Sequence, residues 1–169
     1  SRVSQVLGGI RELLPNPDLN AAIIEREVAP ARQLKVLVFN LGEALMQPGG
    51  ASDIALQPRD KITVFDLETN RSKLLEPVIE RLRMQASREN RQKVVNITGN
   101  VRFPGSYPLT EGMSTRQLIA LAGGLNENAY NLSGEITRYS LDEQQRQQIH
   151  NIDVQLASAN QYTLQEEDR

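Results

Sequence analysis

The chain has 169 residues, enough for one ordinary domain or two small ones, and its 39% apolar and 24% charged residues are typical of a folded soluble protein. Its net charge is -2 and its basic residues are interspersed among acidic ones, so it lacks the basic face of a nucleic-acid-binding protein. No cysteine is present, which excludes disulfides and thiolate metal sites in this stretch. No apolar run approaches the roughly 20 residues of a membrane-spanning helix.

Alignment of the chain with itself indicates an internal repeat. Residues 2–26 align without a gap with residues 114–138, and the apolar positions keep their order throughout. Self-similarity of this kind indicates that one structural module occurs twice. The matched positions include Val6 with Leu118, Leu13 with Leu125, Arg26 with Arg138, residues 39–41 with 152–154 after one inserted residue, and residues 56–60 with 164–168.

The two copies lack opposite ends. Copy two begins with residues 94–109, which nothing before Ser1 matches, and copy one ends with residues 61–65, which nothing after Arg169 matches. We therefore expect the chain to be a piece of a longer protein whose targeting signal or membrane anchor lies elsewhere. Because an unpaired sheet edge recruits a strand, we expect an edge of copy two to pair with another segment of the chain or with a neighbour.

A helix is predicted between the two copies. Thr69 or Ser72 could cap it, and Pro77 predicts a kink or a late start because proline removes a backbone donor. The helix could act as a spacer between modules or dock on the sheet of one of them, and we favour docking with some spacing role. The apolar residues at helical spacing are Leu74, Leu75, Val78, Ile79 and Leu82.

Copy two opens with a predicted hairpin. Residues 94–98 are rich in β-branched side chains and predict a strand, and Gly99-Asn100 is a favourable turn pair. A return strand is predicted to begin at Val101 and to resume at Ser106 after an interruption at Pro104-Gly105. Because Pro104 has no N–H for a ladder, this strand should be an edge strand or carry a bulge.

A helix and two further strands follow. Ser114 or Thr115 can cap a helix that Gly123-Gly124 ends, and residues 135–140 and 151–154 predict strands. Strands with one intervening helix predict an α+β fold with the helix packed on one sheet face. We expect two β-grasp (ubiquitin-like) modules joined by a helical linker, with the first module at residues 1–67, the linker at 68–92 and the second module at 93–169.

The second copy resembles a known family. The pattern Gly99-x-Val101-x-x-Pro104-Gly105-x-Tyr107-x-Leu109, followed by Ala122-Gly123-Gly124-Leu125, resembles the soluble ligand-binding β-grasp (SLBB) family. Residues 56–64 look like the closing Leu-x-Pro-x-Asp-x-Ile-x-Val element of the same family. Copy one departs from the pattern, because Arg11 and Glu12 stand opposite the two glycines.

The resemblance implies a function in polysaccharide transport. Tandem modules of this kind are typical of outer-membrane polysaccharide export proteins, which are similar to one another in forming ring oligomers. The implied role is a periplasmic module, associated with the outer membrane through other parts of the parent protein, that helps carry capsule or exopolysaccharide. The implied partners are the polysaccharide, further copies of the protein and an inner-membrane export partner. The alternative is a stand-alone periplasmic glycan-binding protein.

No constellation of residues indicates catalysis. His150 is the only histidine, and no serine lies in a nucleophile-elbow sequence. We therefore expect no enzyme activity, no metal site and no cofactor. A glycosidase would need two carboxylates facing one cleft about 5 to 10 Å apart, a geometry that sequence does not reveal.

Four residues are candidate ligand contacts. Tyr107 and Tyr130 could stack on sugar rings, and Arg102 and Arg138 could pair with acidic sugars because the guanidinium fork donates two parallel hydrogen bonds to a carboxylate. The alternative for each is structural. Tyr107 could pack on the helix, Arg102 could merely be exposed, and the arginine that Arg138 shares with Arg26 could be an anchor.

Overall fold

The computed structural model is a mixed α+β structure, which confirms the predicted class. It divides into two compact units, Ser1–Thr69 and Asn70–Arg169. The structure describes residues 1–10, 14–86, 93–126, 133–141 and 147–155, with the last two segments described as backbone only.

The first unit is built around one long central strand. Its elements are α1 (Val3–Leu7), β1 (Pro17–Val28), β2 (Gln33–Phe39), α2 (Leu41–Met46) and β3 (Lys61–Asp66). Strand β1 pairs antiparallel with β2 on one side and with β3 on the other. Residues 21–24 of β1 are all buried, as expected of a strand covered on both faces. The core of the unit includes Val3 from α1, Ala22 and Ile24 from β1, Phe39 from β2, and Leu41 and Ala44 from α2.

Helix α1 is capped by a distant carboxylate. Arg2 occupies the N-cap position and its side chain makes no capping hydrogen bond. Instead Asp53, which is 1% exposed, accepts hydrogen bonds from the N–H and the hydroxyl of Ser4, both at 2.8 Å, and from the N–H of Gly49. Burial would by itself raise the pKa of Asp53, but these hydrogen bonds and the nearby charge of Arg2 hold that pKa below its ordinary value.

An ion pair joins β1 to the turn before β3. The Arg26 guanidinium donates two hydrogen bonds to the Asp60 carboxylate, from Nε at 3.0 Å and from Nη2 at 2.7 Å, and Nη2 also donates to the carbonyl of Ala55. Asp60 additionally accepts the N–H of Gln57, so the bonds from Arg26 and Gln57 lower the pKa of Asp60 despite its burial. The anchor interpretation of this arginine is therefore confirmed in copy one.

The second unit contains an antiparallel sheet with the order β5-β4-β6-β7. Its elements are α3 (Arg71–Met84), β4 (Val94–Ile97), β5 (Gly105–Pro108), α4 (Thr115–Leu121), β6 (Ser133–Leu141) and β7 (Gln147–Gln155). Strand β5 follows Pro104 and lies at the edge of the sheet among the strands that the structure describes, as its sequence predicted.

Helix α3 docks on the sheet of the second unit, where it packs against β4 and β5. It runs through Pro77 without interruption, so the predicted late start is wrong. Its N-cap is neither Thr69 nor Ser72 but Asn70, whose side-chain oxygen accepts the N–H of Ser72 at 2.9 Å. The cap and the buried face outweigh the missing donor of the proline. The buried residues of the helix are Arg71, Leu75, Val78, Ile79 and Leu82.

The two units share an arrangement of strands. In the first, Ile24 pairs with Leu37 of β2 and with Ile62 of β3, whereas in the second Ile136 pairs with Ile152 of β7 and with Ile97 of β4. Ile152 therefore corresponds to Leu37, two residues earlier than the sequence alignment placed it. The edge of β6 that corresponds to the β3 side of β1 is covered by β4, which is the opening strand of copy two itself. Recruitment of a strand from outside copy two stays a prediction.

Candidate functional site

The residues that carry the family pattern lie together in the second unit. The predicted return strand does not begin at Val101, because β5 alone pairs with β4 and Val101 instead forms a bridge with Leu125. The N–H of Arg102 donates to the carbonyl of Gly124 at 2.9 Å, and the N–H of Phe103 donates to the carbonyl of Ala122 at 2.8 Å. The loop of residues 98–104 is therefore fastened to the end of α4, and we call this arrangement the loop clasp.

Helix α4 begins and ends as the sequence predicts. The Ser114 hydroxyl accepts the N–H of Gln117, and the Gln117 side chain accepts the N–H of Ser114 at 3.0 Å, which forms a capping box. At the other end Gly123 and Gly124 have φ angles of 89° and 84°. Their N–H groups donate to carbonyls of the last turn, as in glycine-terminated helices. This left-handed turn directs the chain back along the loop.

Gly123 is also the point of closest approach between the loop and the helix end. A Cβ atom built on Gly123 would lie 2.7 Å from Cδ2 of Phe103 and 3.0 Å from Cβ of Arg102. A Cβ on Gly124 would meet nothing within 4 Å. The two glycines of the family pattern therefore have different roles, since both permit the turn but only Gly123 makes room for the Phe103 ring.

A buried cation supports the clasp from helix α3. Arg71 is fully buried, and its Nη1 donates to the carbonyl of Leu121 at 2.6 Å, at the negative end of α4. Its guanidinium lies over the Phe103 ring, 5.0 Å from the centroid. The role of Arg71 was not predicted from the sequence. Its helical spacing to Leu75, Val78 and Leu82 could have identified a cation on the apolar face of the helix.

Tyr107 is part of the core of this unit. Its ring is 1% exposed, and its hydroxyl donates to the carbonyl of Phe103. Burial raises the pKa of Tyr107 to about 12, although the positive charge of Arg71 acts in the opposite direction. No face of the ring is open for stacking in this structure, which favours the packing interpretation of Tyr107 over a sugar contact.

The structure describes the other three candidate ligand contacts to different extents. The side chain of Arg102 is exposed on the loop clasp, whose backbone is fixed by the hydrogen bonds described above. Tyr130 lies outside the described residues. The backbone of Arg138 lies in β6, where it pairs with Val95 and His150, and its side chain is outside the description. Of the two candidate side chains that the structure describes, Arg102 is therefore exposed and Tyr107 is buried.

The loop clasp is a surface whose backbone is fixed by hydrogen bonds. Arg102 is exposed on the loop clasp, and the phenol of Tyr107 and the cation of Arg71 make internal hydrogen bonds. Within the described ranges, no group of three or more histidine, cysteine, aspartate or glutamate side chains could hold a metal ion. No helix in the same ranges is long and apolar enough to cross a membrane.

Comparison with known families gives one match, within the second unit. Residues 94–139 match the family model of the SLBB domain, the family that the sequence pattern resembles. The match includes β4, the loop clasp, β5 and α4 and extends into β6. No curated protein matches the chain, and no solved structure matches it either.

Proposed function

We propose that the SLBB domain at residues 94–139 makes this chain a periplasmic module of a polysaccharide export protein. The observation that carries the proposal is the family match. The two parts of the family pattern, at residues 99–109 and 122–125, are joined to each other in the loop clasp. Polysaccharide transport is the role that the family resemblance implies. In this role the module is a structural part of the assembly and performs no catalysis.

We also propose that the two units are tandem β-grasp modules. The supporting observations are matched positions 112 residues apart. Gln5 accepts the N–H of Arg2 at 2.9 Å just as Gln117 accepts that of Ser114 at 3.0 Å. Each of these short helices precedes an antiparallel hairpin whose first strand also pairs with a third strand. If the parent protein forms a ring oligomer, two modules in each copy would form two similar layers along the path of the polysaccharide.

The proposed partners follow from this role. The module would bind the polysaccharide, further copies of the parent in a ring oligomer, and an inner-membrane export partner. We place it in the periplasm, held at the outer membrane by parts of the parent protein outside this chain. Among the candidate contacts, Arg102 is the one whose exposure on a fixed loop suits an acidic sugar.

Deletion of the parent gene tests the proposal. Loss of surface polysaccharide, together with accumulation of the polymer in the periplasm, is the expected result, and wild-type export after deletion would contradict it. Negative-stain images of the purified full-length parent should show rings. If the parent is monomeric and calorimetric titration with capsule oligosaccharides gives heat, the alternative of a stand-alone glycan-binding protein is favoured instead.

A further inference from the structure

A polar groove runs between helix α3 and the edge strand β5 in the second unit. Its cavity of about 430 Å³ is within the range of small-molecule sites. The helix contributes Ser72 and four charged residues to the lining, and the strand contributes Gly105 and Ser106. Ile79, which is 5% exposed, forms the apolar part of the lining. We call this feature the α3–β5 groove.

The strand side of the groove is poorly suited to a peptide strand. Gly105 and Tyr107 lie opposite Ile97 and Val95, and the hydrogen bond from the N–H of Leu109 to the carbonyl of Lys93 fixes the alternation of the ladder. The outward-facing residues of β5 are therefore Ser106 and Pro108. Pro108 has no N–H, so the outer edge of β5 offers a single donor. Prolines of this kind protect an edge against strand addition.

The charges of the groove are balanced and point to an uncharged ligand. Lys73 and Arg83 lie ten residues apart on the helix, about 15 Å along its axis, and Glu76 and Glu80 lie between them, one turn apart. All four side chains are exposed, and in the described part of the chain no ion pair joins them. Two carboxylates in the centre disfavour an anion there, and the flanking cations disfavour a cation.

The hydrogen-bonding groups that line the α3–β5 groove suit a ligand with hydroxyl groups. The two carboxylates accept charge-assisted hydrogen bonds and the two cations donate them. The N–H of Ser106 adds a donor and its carbonyl adds an acceptor. Gly105 keeps the strand close to the helix, since a Cβ there would lie 3.0 Å from Oγ of Ser72. A ligand with many hydroxyls, each both donor and acceptor, satisfies this lining.

We propose that the α3–β5 groove binds a short uncharged stretch of a carbohydrate chain. This inference rests on the proposed function and adds a binding site to it. The hydroxyls of the sugar donate to Glu76 and Glu80, and Lys73 and Arg83 donate to sugar oxygens at the two ends. Ile79 contacts the apolar face of a sugar ring.

Amide NMR spectra of the whole chain test the proposal. The probes are neutral oligosaccharides of glucose, mannose and galactose, with alginate and hyaluronan oligosaccharides as acidic counterparts. At least one neutral probe should shift the amides of Ser106 and of α3 in a saturable way. A Glu76→Gln/Glu80→Gln variant should bind it about tenfold more weakly, because charge-assisted acceptors become neutral ones. Glu68→Gln, an exposed carboxylate outside the groove, is the matched control and should bind as the wild type does.

Three outcomes would overturn the inference. They are shifts confined to other surfaces or absent with every neutral probe, a preference of the Ser106 and α3 amides for the acidic probes, and concentration-dependent shifts of Ser106 without sugar, which would indicate self-association. A result that contradicts sugar binding in the groove is distinguishable from one that contradicts the proposed function. If deletion of the parent abolishes export but no neutral probe shifts the groove amides, the groove alone is contradicted. A parent whose deletion leaves export unchanged contradicts the proposed function whatever the NMR result.

Discussion

Substitution of Gly123 by alanine should destabilise the second unit by about 3 kcal/mol, whereas the same change at Gly124 should cost about 1 kcal/mol. Both glycines have positive φ angles, 89° and 84°, so either alanine adopts a conformation that costs roughly 1 to 2 kcal/mol. Alanine also lowers the conformational entropy of the unfolded chain relative to glycine, which offsets part of that cost at both positions. The strain is therefore common to the two variants.

The difference between the variants comes from packing. The new methyl group at position 123 would lie 2.7 Å from Cδ2 of Phe103, and the Arg71 guanidinium also packs on this ring. Forcing a methyl group into a filled site of this kind typically costs about 1 to 3 kcal/mol. At Gly124 the methyl group meets no atom within 4 Å. The comparison thus separates overpacking from backbone strain.

Scanning calorimetry and hydrogen exchange provide the measurement. For a unit of about 100 residues, 1 kcal/mol lowers Tm by roughly 4 to 8 °C, so the alanine at position 123 should lower it about three times as far as the alanine at 124. Exchange of peptides from residues 94–126 should accelerate, and peptides from residues 17–66 serve as the internal control. Equal losses in the two variants would refute the proposed contact with Phe103.

Three further substitutions test other contacts. Asp60→Asn should destabilise the first unit by about 3 kcal/mol because it breaks a largely buried ion pair. Lys61→Gln removes a longer ion pair, 3.5 Å, whose lysine is 73% exposed, and should cost less than about 1 kcal/mol in urea unfolding. Because the folded chain lowers the pKa of Asp60, its contribution is present above the unfolded value of about 3.9 and is lost as the pH falls through the folded value. An acid unfolding midpoint that Asp60→Asn leaves unchanged would contradict this. Tyr107→Phe should abolish the phenol that ionises at about pH 12 in an absorbance titration. The stability supplied by that phenol is complete below about pH 10 and is lost as the pH rises through about 12, and a normal titration of all tyrosines would refute its burial. Arg71→Lys should cost about 2 kcal/mol, since an ammonium cannot both donate to the end of α4 and lie flat on Phe103; unchanged stability would show that charge alone suffices.

Local sequence determined the elements whose signals lie within a few residues. The capping box at Ser114 and the glycine end of α4 depend on neighbouring backbone groups, so the sequence predicted both ends of that helix. The edge position of β5 followed from the missing N–H of Pro104 for the same reason. The match of residues 94–139 to the SLBB domain model was likewise predictable, because the pattern is continuous over one short segment.

Contacts between segments that are distant in the chain could not be predicted from the sequence. The pairing of Val101 with Leu125, rather than within a hairpin, depends on where the end of α4 lies once the helix has packed. The cap of α1 by Asp53 joins residues 49 positions apart. In both cases local propensity leaves several partners open, and burial of the whole unit selects one.

The sequence by itself therefore determined the α+β class and the SLBB resemblance, and it supplied the candidate sugar contacts as a prediction. The tertiary structure decided how those residues are used. It buries Tyr107 in the core, leaves Arg102 at the surface and places an unassigned polar groove beside β5. The physical reason is that a side chain's type sets which bonds it can make, whereas its burial and neighbours, which only the packed chain fixes, determine whether those bonds are made internally or to a ligand.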